Sequence, residues 1–314
     1  MDKQQLRDCH QRIKPFIHDT PVLTSRLIDK MGNANFYFKC ENFQRMGAFK
    51  MRGAANAILQ LTPDQKKNGV VTHSSGNFAQ ALSLAAQSLG VKAYIVMPSS
   101  APEVKKEAVR GYGGILSECE PTLTAREQAT QEIINKQGAT FIHPSNNEQV
   151  ILGQGTACME LLKLYPDLDY VFTPVGGGGL LAGTALAVHY FGKNCKTIGG
   201  EPFEVDDAFR SLNSGKIETN TTTNTIADGL KTQLGDRNFP IIQKYVEEIV
   251  RVKEQEIVHA MRLIWERLKI VCEPSSAVAL AACFRKKELL THKKVGIIIS
   301  GGNVDLSKLP FRPA

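Results

Sequence analysis

Four consecutive glycines, Gly176, Gly177, Gly178 and Gly179, stand between the apolar run Asp169-Tyr-Val-Phe-Thr-Pro-Val and the run Leu180-Leu-Ala-Gly-Thr-Ala-Leu-Ala-Val. The order reads as a buried strand, a turn without side chains and the start of a helix. Such a turn leaves backbone N–H groups unobstructed at the positive end of a helix dipole, a common physical arrangement for holding a phosphate. The competing reading is a glycine turn that serves tight packing alone. Lys50 lies in Gln44-Arg-Met-Gly-Ala-Phe-Lys-Met-Arg-Gly, flanked by Phe49 and Met51. A lysine in apolar surroundings has a lowered pKa and can serve as an amine nucleophile or base. Taken alone, a surface lysine with a buried stem is the commoner case. Nucleotide fingerprints fit poorly. There is no Gly-x-x-x-x-Gly-Lys-Ser/Thr, and Gly-x-Gly-x-x-Gly can be forced onto 176–183 only without a convincing acidic residue about 20 positions on.

These residues need elements to place them. Strand-like and helix-like runs alternate: a strand at Val70–His73, a helix at Ala79–Leu89, a strand at Ala93–Met97 stopped by Pro98, and a helix from Pro102 to Arg110 with proline in its first turn. A strand at Gly114–Ser117, a helix from Thr122 to Lys136 and a strand at Thr140–His143 complete a parallel α/β unit. A second series reads as helix Glu148–Tyr165, strand Tyr170–Val175, helix Leu180–Tyr190 and a strand starting at Thr197. A polar surface loop follows over 213–227, then helices Glu254–Lys269 and Pro274–Phe284, and a last buried strand Lys294–Ile299. The fold class is therefore α/β, in two open units. Ligands in open α/β sheets sit beyond the carboxyl ends of strands. Four loops fall there: His73-Ser-Ser-Gly-Asn, the tetraglycine, Glu201 to Asp207, and Ser300-Gly-Gly-Asn. One composite site between the units is expected.

Composition narrows the class. A chain of 314 residues, 42% hydrophobic and 22% charged, suits a soluble globular protein of one large or two smaller domains. No apolar stretch approaches the roughly 20 residues that span a bilayer, and the first residues have no apolar signal core. The net charge of +7 is dispersed, without the basic and aromatic interleaving of a nucleic-acid surface. Seven cysteines, an odd number without a C-x-x-C pair, argue against a disulfide framework or structural zinc and for a reducing, cytoplasmic compartment.

Six segments together resemble one enzyme family: Asn42-Phe-Gln-Arg-Met-Gly-Ala-Phe-Lys-Met-Arg-Gly-Ala, Thr72-His-Ser-Ser-Gly-Asn, Gly153-Gln-Gly-Thr, Pro174-Val-Gly-Gly-Gly-Gly-Leu, Ile226-Ala-Asp-Gly and Ser300-Gly-Gly-Asn-Val-Asp. They are similar to the serine racemase and serine/threonine dehydratase group of fold type II pyridoxal-phosphate enzymes. The matches keep the family order over nearly the whole chain, and they are specific as a set rather than singly. The resemblance implies a large cofactor-binding domain of residues 1–68 and 147–314 and a small substrate-loop domain of residues 69–146. It implies that Lys50 forms a Schiff base with pyridoxal 5'-phosphate, that Phe49 packs near the ring, and that Gly176 to Gly179 hold the phosphate. Asn77 would bond the ring oxygen and Ser300 would face the pyridine nitrogen. An Asp or Arg partner is the more general pattern at that nitrogen. A neutral serine leaves it essentially unprotonated.

Ser75 separates branches within the family. Simple threonine dehydratases tend to have alanine there, whereas serine racemases and hydroxyaspartate dehydratases have serine. Racemisation needs proton donors on both faces of a planar carbon, so Lys50 and Ser75 form the minimum apparatus. The competing reading is a loop hydroxyl that only binds substrate carboxylate, beside Ser74 and Gly76. Glu201, Asp207 and the carbonyl of Val205 offer oxygen ligands for Mg2+ or Ca2+ in a loop after a strand, which the resemblance supports and without which solvated acids would be the simpler reading. Arg126 matches a family arginine near the substrate pocket. It suits a second acidic group on the substrate, or else is an ordinary helix-surface arginine.

Ala48, Phe78 and Ser145 depart from mammalian-type racemases, and the last two border the substrate, which leaves substrate preference open. The expected activity is serine racemisation with serine dehydration on a small β-hydroxy amino acid. Dehydration of L-threonine or threo-3-hydroxyaspartate is the alternative, and a non-catalytic phosphate-ligand regulator the remote one. The resemblance also implies a homodimer and leaves room for a nucleotide effector.

Overall fold

The computed structural model describes residues 1–311. Ten strands form two sheets: β1 (Val22–Leu23), β2 (Asn35–Cys40), β3 (Val70–His73), β4 (Ala93–Pro98), β5 (Ile115–Cys119), β6 (Thr140–Phe141), β7 (Tyr170–Pro174), β8 (Lys196–Pro202), β9 (Val246–Val252) and β10 (Lys294–Ile299). The four strands between residues 70 and 141 form an all-parallel sheet in the order β5-β4-β3-β6. The other six run β1-β2-β10-β7-β8-β9, parallel except at β1. Parallel strands buried on both faces must be apolar throughout. β10 meets that demand with Val295 and Ile297 to Ile299, all fully buried.

Each sheet reverses its winding once. From β3 the chain moves outward to β4 and β5, then returns to place β6 on the other side of β3. From β7 it moves to β8 and β9, then returns to place β10 on the other side of β7. Helices leaving opposite faces diverge at such points and open a crevice beyond the carboxyl ends of the strands. The loops at those ends are Ser74–Asn77 after β3, the tetraglycine after β7 and Ser300–Asn303 after β10.

Glycines bring the helices that hold these loops into backbone contact. A side chain on Gly153, in helix Glu148–Leu164, would meet Arg52 O at 2.5 Å and Gly53 Cα at 2.6 Å in helix Lys50–Leu59. Two residues on, on another face of the same helix, a side chain on Gly155 would meet Gly183 O at 2.6 Å in helix Gly179–Phe191. The middle helix thus fixes the lysine's helix against the helix that begins at the tetraglycine. The Gly153-Gln-Gly-Thr segment acts through its missing side chains.

A buried ion cluster locks the same region. Arg52 donates from Nε and Nη2 to Glu41 at 2.7 and 2.9 Å, and from Nη1 and Nη2 to Glu160 at 2.8 Å each. Lys39 Nζ lies 2.6 Å from Glu160 and donates to Thr20 O at 2.7 Å. Thr20 donates to Glu41 at 2.6 Å, and His10 Nε2 lies 2.9 Å from Glu160. Lys39, Glu41 and Arg52 have no exposed surface and Glu160 retains 7%. Two cations thus balance two anions with nearly every polar atom paired, which low-dielectric burial requires.

Several expected elements differ. The strand read over Thr140–His143 is assigned only to Phe141: Ile142 N still donates to Val71 O at 2.9 Å, but Pro144 has no N–H for the next ladder bond, and the His143 ring accepts from the amides of Ser145 and Asn146 at 3.2 and 2.8 Å. The helix expected to start at Pro102 begins at Glu103 with Pro102 as its cap. The helix read over Glu254–Lys269 is α-helical only to Leu263, and Ile264–Leu268 widen into a π turn that ends at Lys269 in the left-handed region (φ 59°). The Trp265 indole there donates to Cys272 O at 2.9 Å. Residues 213 and 214, read as loop, close helix Asp207–Ser214, which Gly215 stops at φ 76°. Glu201 and Asp207 do not share a loop: Glu201 lies within β8, and Asp207 opens that helix.

Arg52→Met should leave Glu41 and Glu160 facing Lys39 alone. The expected loss is about 3–5 kcal/mol of unfolding free energy, read by urea titration. A loss below about 1 kcal/mol would show that the cluster does not hold the helices.

Candidate active site

The two crevices merge into one cavity of about 1460 Å³. Its wall includes Phe49, Lys50, Ser74, Ser75, Gly76, Asn77, Arg126, Ser145, Gly176, Gly177, Gly178, Gly179 and Ser300. Phe78, a departure from the family pattern, also lines it. Of the four loops expected to share one site, the Glu201–Asp207 segment does not line the cavity, because β8 lies one strand beyond the reversal at β7 and β10.

Lys50 is the first residue of its helix, and the preceding loop is tied to the end of β10. Phe49 N donates to Ser300 O at 2.9 Å, Gly302 N donates to Gly47 O at 2.9 Å, and Ala48 bridges Gly301. Lys50 Nζ donates to Pro144 O at 2.8 Å and lies 5.0 and 5.6 Å from the ring centres of Phe49 and Phe78. Burial lowers its pKa to about 8, and Glu273 opposes the shift. A proton at Nζ is therefore readily lost and regained near neutral pH.

The tetraglycine is wedged between two segments. A side chain at Gly176 would meet Leu230 Cα at 2.7 Å, one at Gly177 would strike Ser145 Oγ, and one at Gly178 would meet Asn238 Oδ1 and Leu234 at 2.6 Å. At Gly179 it would meet Ser145 O at 2.9 Å. Gly178 is also in the left-handed region (φ 78°), which disfavours any side chain. Helix Gly179–Phe191 begins at once, so its first amides have no intrahelical partner. A cavity-lining turn with bare amides at a helix N-terminus fits an anionic oxygen cluster.

Ser75, Ser74 and Gly76 form the loop after β3. Ser74 Oγ accepts from Gly76 N at 3.4 Å, and nothing lies within 4 Å of a side chain built on Gly76, so the loop faces open space. Asn77 is oriented by Asn303, from the motif at the end of β10, and by Glu273, which motif reading did not reach. Its Nδ2 donates to both Glu273 oxygens at 3.0 and 3.1 Å, and its Oδ1 accepts from Asn303 at 2.9 Å. Glu273 is a lone carboxylate among apolar neighbours in sequence, 196 positions from Asn77. The Ser300 hydroxyl lies 2.9 Å from that of Ser276, which also exchanges hydrogen bonds of 2.7 Å with the backbone of Gly301.

Arg126, half-buried, donates from Nε to Thr122 O at 3.3 Å, and its charge helps burial lower the pKa of His73. Burial, with the charges of His73 and Lys50, lowers His143 to about 4. His143 is thus a neutral acceptor that holds the 143–146 turn, with Ser145 only 5% exposed.

Glu201 and Asp207 are both fully buried. Glu201 accepts from the amides of Ala208 and Phe209 at 2.9 and 2.8 Å, and Asp207 from Asn220 Nδ2 and Leu234 N at 2.6 and 3.2 Å. Burial, then the charge of Asp207, pushes Glu201 well above the carboxylate range, and burial pushes Asp207 up to about 6. Val205 is buried between them in sequence. Among the described residues no three His, Cys, Asp or Glu side chains converge as a metal set, so any ion here would rest on two carboxylates, backbone oxygen and water.

Glu273 gives a pH test. Burial, with the charge of Asp228, raises its pKa from 4.5 to about 7. A carboxyl raised on folding costs stability above its unfolded value, and the cost grows from pH 4.5 to about 7. Glu273→Gln should therefore melt above the unaltered protein at pH 8, with the gap closing below pH 4.5; a pH-independent gap would contradict the shift.

Comparison with known proteins agrees with this architecture. The family profile described as pyridoxal-phosphate dependent enzyme matches residues 13–301. A serine racemase from Dictyostelium discoideum is 49% identical over 310 residues, covering 98% of this chain and 96% of that protein. A β-hydroxyaspartate dehydratase from Paracoccus denitrificans is 46% identical, covering 96% of each. The crystal structure of the Dictyostelium racemase superposes with a TM-score of 0.94, covering 98% of this chain and 99% of that one. The fold is that of fold type II, with two α/β units, and the chain belongs to the pyridoxal-phosphate dependent enzyme family.

Proposed function

We propose that the chain is a pyridoxal-phosphate-dependent serine racemase that also dehydrates serine to pyruvate and ammonia. The observation that supports this best is that Lys50 and Ser75, reached from different sheets, line one cavity with the tetraglycine and Ser300. In this reading residues 1–68 and 147–314 form the cofactor domain and 69–146 the substrate-loop domain, a division that follows the two sheets.

The residues present fit the cofactor: a buried lysine, a turn of bare amides and a hydroxyl at the end of β10. Bound pyridoxal phosphate supplies an electron sink for the pair left when the α-proton departs. Lys50 would hold the cofactor, and its Nζ, with a pKa lowered to about 8, would take and return the α-proton on one face. The Phe49 and Phe78 rings flank Nζ. Ser75 exchanges a proton on the other face, and Ser74 and Gly76 help seat the substrate carboxylate. Asn77, steadied by Glu273, would bond the ring oxygen, and the Ser300 hydroxyl would face the ring nitrogen without stabilising positive charge there. Return of the proton on the other face would give the other enantiomer; loss of the β-hydroxyl as water, followed by hydrolysis, would give pyruvate and ammonia.

A second reading, 3-hydroxyaspartate dehydration, draws on the Paracoccus relative and on Arg126, which with Ser145 lines the same cavity and offers a cation to a second carboxylate. For Glu201, Asp207 and the Val205 carbonyl we propose Mg2+ or Ca2+ with waters. Support comes from two buried carboxyls that burial holds above their ordinary range, a shift that a bound cation would oppose. We place the protein in the cytoplasm, in keeping with seven free cysteines, and take the homodimer from the family resemblance alone. No site is assigned to a nucleotide effector.

With L-serine, chiral product analysis should find D-serine beside pyruvate. Ammonia from hydroxyaspartate without D-serine would favour the second reading. Ser75→Ala should abolish racemisation and leave part of the L-serine dehydration, whereas equal loss of both would defeat the two-face mechanism. Lys50→Ala should remove the visible absorbance of lysine-linked cofactor. Mg2+ should raise the melting temperature of the metal-free protein but not of Glu201→Gln; equal shifts would remove the ion from this site.

A further inference from the structure

Asn238 has no exposed surface, and its side-chain amide is fully engaged. Nδ2 donates to Gly177 O at 2.8 Å and to Ser145 O at 3.3 Å, while Oδ1 accepts from Gly235 N at 3.1 Å. These partners belong to three separate segments: the tetraglycine after β7, the 143–146 turn after β6, and the stretch ending at Gly235, whose residues 231–234 line the cavity. One amide therefore joins the two sheets' loops at the place where they meet.

The Gly177 bond has a directional consequence. All described peptide bonds are trans, and in a trans peptide the C=O and N–H point in opposite directions. With Gly177 O held towards Asn238, the N–H of Gly178 is turned the other way. Oδ1 lies where a side chain on Gly178 would stand, 2.6 Å from the built position, so Asn238 occupies one side of the turn and leaves the other to a ligand. A second amide is aimed through the same bridge. Ser145 O faces Nδ2, and Asn146 N is turned to His143 Nδ1. Two carbonyl oxygens converge on one amide group, so nothing but a donor suits that point. An acceptor or an anion would face two carbonyls and repel the phosphate beyond them.

We propose that Asn238 is a positioning residue for phosphate recognition: it sets the Gly177–Gly178 peptide so that the Gly178 amide faces the cofactor phosphate. The proposal rests on the reading of the cavity as a pyridoxal-phosphate site. Its specific consequence is that Asn238 governs affinity for the phosphate rather than for the aldehyde-bearing ring.

The test compares pyridoxal phosphate with pyridoxal, which lacks the phosphate, on apoprotein of the full chain, by absorbance titration. The ratio of the two dissociation constants is the readout, because a general loss of packing weakens both ligands alike. Asn238→Asp keeps the size and the acceptor for Gly235 and replaces the donor by an anion. It should reduce the preference for the phosphorylated form at least about tenfold, the scale of a lost hydrogen bond to a charged group. Inorganic phosphate should also cease to compete with pyridoxal phosphate. Asn238→Ser, with one donor for two carbonyls, should reduce the ratio by about threefold and decides the matter where the Asp variant does not fold. A ratio within twofold of the unaltered protein in a folded variant overturns the proposal. Failure of the unaltered protein to take up pyridoxal phosphate would instead remove the proposed function itself.

Discussion

The Arg52 guanidinium, buried between Glu41 and Glu160 two residues past Lys50, is the constraint on which the rest of the site depends. Its partners lie beyond β2 and on helix Glu148–Leu164, and Lys39 on β2 completes the charge balance. A planar fork with donors on two edges can tie two carboxylates at fixed angles, which a lysine ammonium cannot. The cluster thus sets the rotation of the helix that starts at Lys50. Removing one partner leaves a buried charge without compensation, so the arrangement specifies one geometry more than it adds stability.

From that fixed helix the geometry spreads by contact. Gly53 and Gly153 let the lysine's helix touch its neighbour, and Gly155 and Gly183 let that neighbour touch the helix of the tetraglycine. The pairing of Ala48 with Gly301 carries the end of β10 along. The loop after β3 comes from the other sheet and is tied back by Asn77 to Glu273 and Asn303. Its position is therefore held by side-chain hydrogen bonds together with the packing of helix Asn77–Ser88 on helix Lys50–Leu59. This suits a segment proposed to seat the substrate.

Much of this was legible in the chain. Alternating apolar runs gave the strands from Val70 to Cys119 and the strand Lys294–Ile299, and the glycine run with Lys50 marked the chemistry. Strand order was not legible, because pairing between β10 and both β2 and β7 joins residues more than 100 positions apart and leaves no local pattern. β2 itself was unassigned in the first 69 residues, where no alternating α/β run flags it. Glu273, Ser276 and Asn238 belong to no motif that sequence reading marks; their partners are 196, 24 and 61 positions away. His143 was read as the end of a strand because Thr-Phe-Ile-His continues the β pattern. Pro144 follows and has no N–H to donate to the ladder, so the pairing stops there.

The tetraglycine also limits how this protein can change. The four positions abut different neighbours: Leu230 backbone, the Ser145 side chain, Asn238 with Leu234, and Ser145 backbone. A substitution at Gly177 or Gly179 calls for a shift at Ser145, and one at Gly176 or Gly178 for a shift in the 229–238 segment. Any change in this run therefore has to be matched in the wall segments that seat it.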